Sequence, residues 1–133
     1  MPIAVIIDLS KSKMITWREK IDREIRTILD TTYKRFRKYC IAKPALTQGD
    51  SIELLVNNWK PVIYLFHKLL YEKLRFNTGF GTTTINLLRE YADECDGPAF
   101  WNAREALEEI KKMKIQKIAA NYKIEEKTPE NAH

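Results

Sequence analysis

The hydrophobic positions along the chain first predict a buried strand followed by an amphipathic helix. The stretch IAVIIDL, residues 3–9, is a continuous β-branched run that is typical of a buried central strand, with Asp8 at its carboxyl end. A helix is then predicted from an N-cap at Thr16 to about Arg37. Its hydrophobic residues recur every three or four positions, at Trp17, Ile21, Ile25, Ile28, Thr32 and Phe36.

The middle of the chain predicts a hairpin and a second helix. AKPALTQ and SIELLV are two strands around a turn that contains Gly49 and Asp50. Asn57 or Asn58 caps the next helix, and Pro61 lies in its first turn. Its predicted buried face consists of Val62, Leu65, Phe66, Leu69 and Leu70.

The remaining segments complete an alternation of strands and helices. Residues 74–84 predict a strand, 85–97 a loop with one helical turn, 98–114 a helix and 115–124 a closing strand. The order β-α-β-β-α-β-α-β predicts an α+β domain with helices packed on a mixed sheet of the ferredoxin-like or palm type. We expect one domain over residues 1–124 and a frayed polar tail at 125–133. This topology brings Asp8 and Asp50 together at strand ends.

Composition and charge narrow the class of protein. The chain has 133 residues, 44% of them hydrophobic and 31% charged, which fits a soluble globular protein. The longest apolar run, residues 3–7, is too short to span a bilayer, and no signal peptide is recognisable. Cys40 and Cys95 form no CxxC pair. These features predict a cytoplasmic protein that makes no membrane contact.

The net charge of +5 suits a polyanionic partner, although most basic residues alternate with acids as on solvated helix faces. The densest basic segment is YKRFRKYC, residues 33–40, with four cations and three aromatic rings. It fits phosphate binding, and it also fits the end of a helix, where the dipole favours cations.

The four glycines lie at positions that admit two interpretations. Gly49 precedes Asp50, Gly79 and Gly81 lie inside a predicted strand, and Gly97 precedes a helix. Glycine inside a strand weakens it unless another backbone or a ligand must approach closely. Either these glycines surround a ligand, or each glycine allows a local turn, bulge or helix cap.

Four segments together resemble one family. IAVIIDLSKSK, LTQGDSIELL, LRFNTGFG and DGPAFWNAREAL stand in the order and spacing of the SatD family, and the similarity covers about residues 3–115. That family resembles nucleotide cyclase and GGDEF domains, which implies a nucleotide-cyclase-like fold. The resemblance also implies that Asp8 and Asp50 bind Mg²⁺ or Mn²⁺ and, through the metal, a nucleotide. Hard oxygen ligands suit both ions.

The resemblance further implies a set of phosphate contacts. These are the backbone groups of Leu9 and Ser10. Lys11 and Lys13 are further candidates because they follow the strand end where a ligand would sit. The other candidates are Gly49, Gly79 and Gly81, and Asn102 and Arg104, which stand one residue out of register with the family pattern. Cyclases place an Asn and an Arg four residues apart, and here those places hold Trp101 and Glu105.

We therefore expect a sensory or regulatory domain that binds a nucleotide or phosphate with a divalent metal. The alternative is a metal-dependent enzyme of phosphoryl or nucleotidyl transfer. The sequence also leaves open whether two chains must pair as a homodimer to complete the site. Longer SatD-like proteins continue into a helix-turn-helix segment, and this chain ends before one, so a nucleic-acid partner receives little support from the resemblance.

Overall fold

The computed structural model describes residues 1–9, 18–47, 51–113 and 119–124. The helices and strands follow the predicted order. The strands are Ile3–Leu9 (β1), Cys40–Leu46 (β2), Ser51–Val56 (β3), Phe76–Thr82 (β4) and Ala119–Ile124 (β5). The helices are Arg18–Arg35 (α1), Lys60–Tyr71 (α2) and Pro98–Lys112 (α3), with short 3₁₀ turns at Arg37–Tyr39 and Ala92–Glu94. The N-cap predicted at Thr16 and the predicted tail lie outside the described residues.

The sheet has the strand order β2-β3-β1-β4-β5. The first four strands are antiparallel, and β5 joins β4 in parallel. Strand β1 is central, as its continuous hydrophobic run predicts, and all its apolar side chains are buried. The protein is therefore an α+β domain with a mixed sheet and three helices packed on it.

Alternate side chains of β1 enter two separate cores. Ile3, Val5, Ile7 and Leu9 pack in the core that α1 and α2 cover. Ala4 and Ile6 point to the other face of the sheet, which α3 covers. Because side chains alternate across a strand, Asp8 lies on the α3 face.

One predicted core residue of α2 is exposed. Val62, Leu65 and Leu69 are buried, whereas Leu70 is 45% exposed, so the prediction for Leu70 was wrong. The buried residues are spaced by three and four positions, and Leu70 follows Leu69 directly. One residue rotates a helix by about 100°, which turns Leu70 away from the core.

Gly79 and Gly81 let α3 approach the sheet. Both glycines are buried. A Cβ on Gly79 would lie 2.7 Å from the backbone nitrogen of Leu107, and one on Gly81 would lie 2.6 Å from that of Ala103. The close approach of another backbone thus accounts for both strand glycines. Gly97 begins α3 with φ = 147°, a conformation that strains other residues.

Helix α2 ends in a Schellman motif that has a lysine at the left-handed position. The Lys73 amide donates to the Leu70 carbonyl, and the Leu74 amide donates to the Leu69 carbonyl. Lys73 has φ = 60°, which costs a residue with a Cβ about 1 kcal/mol. Lys73→Gly is therefore expected to raise the midpoint of urea unfolding, although glycine usually destabilises. A lowered midpoint would contradict this reading of the helix end.

Neither cysteine forms a disulfide in the structure. Burial raises the pKa of the Cys40 thiol to about 11 and also raises the pKa of Cys95. We expect Cys40 in the folded protein to react slowly with iodoacetamide at about pH 8, because the thiolate is the reactive form. The rate should rise with pH toward the pKa and should reach the free-thiol rate in urea. Mass spectrometry of the alkylated peptides distinguishes the two cysteines, and fast labelling of native Cys40 would contradict the prediction.

Within the described ranges, no helix is long and apolar enough to cross a membrane.

Candidate functional site

Asp8 forms an ion pair with the last turn of α3. The Lys111 Nζ lies 2.9 Å from Asp8 Oδ2 and 3.9 Å from Glu108 Oε2. The Asp8 side chain is 24% exposed and that of Lys111 is 41% exposed, so solvent reaches the pair. Sequence reasoning selected Asp8 but missed Lys111, because only the packing of α3 on the sheet brings the two residues together.

Two polar residues flank Asp8 on the same face of the sheet. In the strand register, Ser51 of β3 lies opposite Asp8 on one side and Asn77 of β4 lies opposite it on the other. The side-chain oxygen of Asn77 is buried and has no hydrogen-bond partner within the described structure. Because an unpaired buried acceptor is costly, a donor or a cation that reached this oxygen would stabilise the protein.

Several residues predicted for the site cannot be placed. Ser10, Lys11, Lys13, Gly49 and Asp50 lie outside the described residues. The joint binding of one cation by Asp8 and Asp50 therefore stays a prediction. The side chain of Leu9 is buried in the core under α1 and α2, and the prediction for this residue concerned only its backbone.

The predicted residues on β4 and α3 are spread around the site. Gly79 and Gly81 are covered by the backbone of α3. Phosphate binding by these two glycines stays a prediction. Asn102 is half-buried, with an Nδ2 that has no partner within the described part of the chain. Arg104 is exposed and acts electrostatically on Glu53.

Trp101 does not pack in the core. It is 50% exposed, and its Nε1 donates a hydrogen bond of 2.8 Å to Asp96 Oδ1.

Glu53 lies on the same face as Asp8, two residue pairs further along the strands, where it is opposite Ile6. Burial raises the pKa of its carboxyl, Arg104 opposes this shift, and Asp93 and Asp96 add to it. Sequence reasoning missed Glu53. The available signal was its place between Ile52 and Leu54 in SIELLV, because alternation puts Ser51 and Glu53 on one face.

The raised pKa of Glu53 predicts a pH-dependent effect on stability. The folded state holds this proton at a pH where the unfolded chain has lost it, so stability falls as the pH rises through the raised pKa. Glu53→Gln should therefore stabilise the protein at about pH 7 and lose this advantage below about pH 4. Urea midpoints at both pH values measure the effect. The exposed Glu72 supplies a control, Glu72→Gln, and an equal gain in that variant would contradict the burial argument.

No group of three or more His, Cys, Asp or Glu side chains is placed to hold a metal within the described ranges. A cavity of about 710 Å³ lies elsewhere, between α1, the edge of β2 and residues 91–94. Asp8 does not line this cavity.

The comparison with known families identifies the chain. The model of the SatD family matches residues 2–128. The chain belongs to the SatD family. The resemblance inferred from its motifs is thereby confirmed. No curated protein matches the chain.

In this SatD domain, Asp8 and Asn77 lie opposite each other in the register of β1 and β4. Asp8 supplies one carboxylate and Asn77 an unpaired amide oxygen, both of them hard oxygen ligands. Mg²⁺ typically takes only one or two protein carboxylates and fills its other positions with water and substrate phosphates. Lys111 adds a mobile positive charge that suits a phosphate.

Proposed function

We propose that the SatD domain binds a nucleoside phosphate together with Mg²⁺ or Mn²⁺ at the surface around Asp8. The observation that carries the proposal is the pairing of Asp8 with Lys111 beside the unpaired Asn77 oxygen. A metal–phosphate ligand matches this arrangement, because the carboxylate attracts the cation and the ammonium attracts the phosphate.

The ion pair is compatible with ligand exchange. Fully exposed ion pairs contribute only about 0.2–1 kcal/mol. Asp8 is partly buried, and a cation that takes the place of the ammonium would keep its charge compensated when the pair opens. The four-carbon stem of Lys111 lets its ammonium turn from Asp8 toward a phosphate while a cation takes its place. By the family resemblance, Asp50 would supply a second carboxylate, and Lys11 and Lys13 further positive charge.

The arrangement of the sheet supports the cyclase-like fold inferred from the sequence. The antiparallel part has the order β2-β3-β1-β4 and two helical crossings, which fits a ferredoxin-like topology. Regulatory binding suits the chain better than turnover, because Trp101 and Glu105 occupy the positions where cyclases carry Asn and Arg.

Thermal unfolding with Mg²⁺ or Mn²⁺ and a panel of nucleoside triphosphates tests the proposal. A ligand at a hundred times its Kd stabilises the folded state by about 2.7 kcal/mol, which raises the Tm of a domain of this size by on the order of 10 °C. Asp8→Asn should abolish the metal-dependent shift. Lys111→Gln should reduce the nucleotide-dependent shift and keep any shift caused by metal alone.

Asp30→Asn is the matched control, because Asp30 forms an exposed ion pair with Lys34 on α1, 3.0 Å long. This variant should respond to the ligands like the wild type. The proposal fails if no nucleotide shifts the Tm, or if Asp8→Asn and Asp30→Asn respond equally.

A further inference from the structure

A basic and aromatic surface lies on α1, α2 and the β2 edge of the domain, whereas Asp8 lies on the face of the sheet that α3 covers. It consists of residues 33–39 at the end of α1 and beyond, the outer stripe of α2 that carries Lys60, Tyr64 and Lys68, and the pair Lys43 and Tyr91. Every cation–π contact among the described residues lies here. Because α1 and α2 pack on the opposite face of the sheet from Asp8, the part of this surface that they carry is separate from the site proposed above.

Rings and cations alternate where α1 meets α2. Phe36 and Tyr64 pack edge to face with centroids 5.3 Å apart. The Arg35 guanidinium lies 5.9 Å from the Phe36 centroid and 5.4 Å from that of Tyr64, and Lys68 Nζ lies 5.4 Å from Tyr64. The end of α1 and the outer stripe of α2 thus bring these rings and cations together in one patch.

The patch continues to both sides of Tyr39. The ammonium groups of Lys38 and Lys60 lie 5.1 and 5.5 Å from the Tyr39 ring. Both charges lower the pKa of the Tyr39 hydroxyl. The half-buried Tyr39 ring therefore lies in a locally positive field.

The third part of the surface borders the cavity of about 710 Å³. Lys43 Nζ lies 5.6 Å from the Tyr33 centroid and 5.5 Å from the Tyr91 centroid, and Arg37 lies 5.8 Å from Tyr33. Tyr33, Arg37, Lys43 and Tyr91 thus all line this cavity.

Acids lie at the cavity side of this surface, where Asp30, Asp93 and Glu94 line the cavity. Lys43 pairs with Glu90 at 2.8 Å, and Lys34 pairs with Asp30 at 3.0 Å. In the described part of the chain, Arg35, Arg37, Lys38, Lys60 and Lys68 form no ion pair with an acid. Their charges are thus available to an external anion.

We propose that this surface binds single-stranded nucleic acid. Cations that follow a backbone and aromatic rings on which bases stack are the combination that single strands require. A duplex offers phosphates but keeps its bases stacked inside, so it would leave the rings unused. The sequence left two interpretations of residues 33–40, phosphate binding and the usual cations at a helix end. The binding interpretation is favoured by the structure, because α2 adds Lys60, Tyr64 and Lys68 to the same surface.

Fluorescence anisotropy with labelled oligo(dT), oligo(U) and a DNA duplex of equal length measures the binding over a series of salt concentrations. We expect both single strands to bind more tightly than the duplex, and their ratio shows whether the protein distinguishes RNA from DNA. The triple variant Arg37→Gln, Lys38→Gln, Lys60→Gln should reduce the slope of log K against log salt by about 2, because each phosphate contact with a single strand contributes about 0.7.

The matched control is the triple variant Lys20→Gln, Arg75→Gln, Lys112→Gln. It removes equal charge from exposed positions outside the basic and aromatic surface. This control should keep most of the affinity and of the salt slope. An equal loss in both triples would overturn the proposal, because binding would then depend on net charge alone.

Tyr39 tests the stacking separately from the charge. Tyr39→Leu should weaken binding of the single strands at least about fivefold with an unchanged salt slope, and Tyr39→Phe should bind like the wild type. Equal affinity of Tyr39→Leu and wild type, or equal affinity for duplex and single strand, would overturn the proposal. Binding to anionic phospholipid vesicles without binding to oligonucleotides would also overturn it and would identify a membrane surface. Circular dichroism confirms that each variant is folded.

Discussion

Gly81→Ala is expected to lower the free energy of unfolding by about 3 kcal/mol, near the upper end of what overpacking costs. The added Cβ would lie 2.6 Å from the backbone nitrogen of Ala103. A backbone atom cannot turn aside as a side chain can, so α3 must move away from β4. Gly79→Ala should have a similar effect, because its Cβ would lie 2.7 Å from the Leu107 nitrogen.

Urea unfolding followed by circular dichroism measures this loss. Thr84→Ala is a suitable control, because Thr84 is exposed just after β4, and its change should stay within about 0.5 kcal/mol. The direction of the change in stability is informative. Alanine in place of an unconstrained glycine usually stabilises a protein, because it lowers the conformational entropy of the unfolded chain. Unchanged stability of Gly81→Ala would show that α3 does not pack as closely as described.

Phe100→Ala is expected to cost about 3–5 kcal/mol, the usual range for a buried phenylalanine. Phe100 is 1% exposed and lies in the core between α3 and the sheet. Several other buried residues of this core are small, namely Ala4, Ala42, Ala92, Ala99 and Ala103. Alanines cannot turn into the space that the ring leaves, so the cavity should persist and the loss should lie toward the upper end.

Trp101→Ala provides the comparison for Phe100→Ala on the next residue of the same helix. Trp101 is 50% exposed, and its substitution removes the hydrogen bond to Asp96 and little packing. We expect a loss of about 1 kcal/mol, the usual contribution of one hydrogen bond. Similar losses in both variants, measured by urea unfolding, would contradict the assignment of Phe100 to the core under α3.

These two predictions concern α3, and α3 also supplies the functional groups opposite the sheet. Lys111 and Arg104 project from this helix toward Asp8 and Glu53, respectively. Because the glycines and Phe100 set the distance between α3 and the sheet, they also position those charges. Variants that loosen α3 should therefore weaken the response to metal and nucleotide before the rest of the domain unfolds.

The elements of this protein follow from local patterns. The run IAVIIDL predicts β1, and the three-and-four spacing predicts α1 and most of the buried face of α2. Proline at the start of α3 and the stripe of Phe100, Ala103, Leu107 and Ile110 predict that helix and its buried face. Such signals are readable because each depends on residues only a few positions apart.

The surroundings of the candidate site depend on contacts that no local pattern records. Asp8 could be selected from its place at a strand end, but its partner Lys111 is set by how α3 crosses the sheet. The strand glycines were open to a ligand or another backbone, and the docking of α3 accounts for them. The exposure of Leu70 likewise depends on which side of α2 meets the sheet.

The sequence by itself determined the order of helices and strands, the central place of β1, and the SatD family membership, because all three depend on the types and spacing of nearby residues. Only the tertiary structure decided that Lys111 reaches Asp8, that burial raises the pKa of the Glu53 carboxyl, and that residues 33–39 join the stripe of α2 in one basic and aromatic surface. The physical reason is that charge and burial act over a few ångströms in space, whatever the distance along the chain.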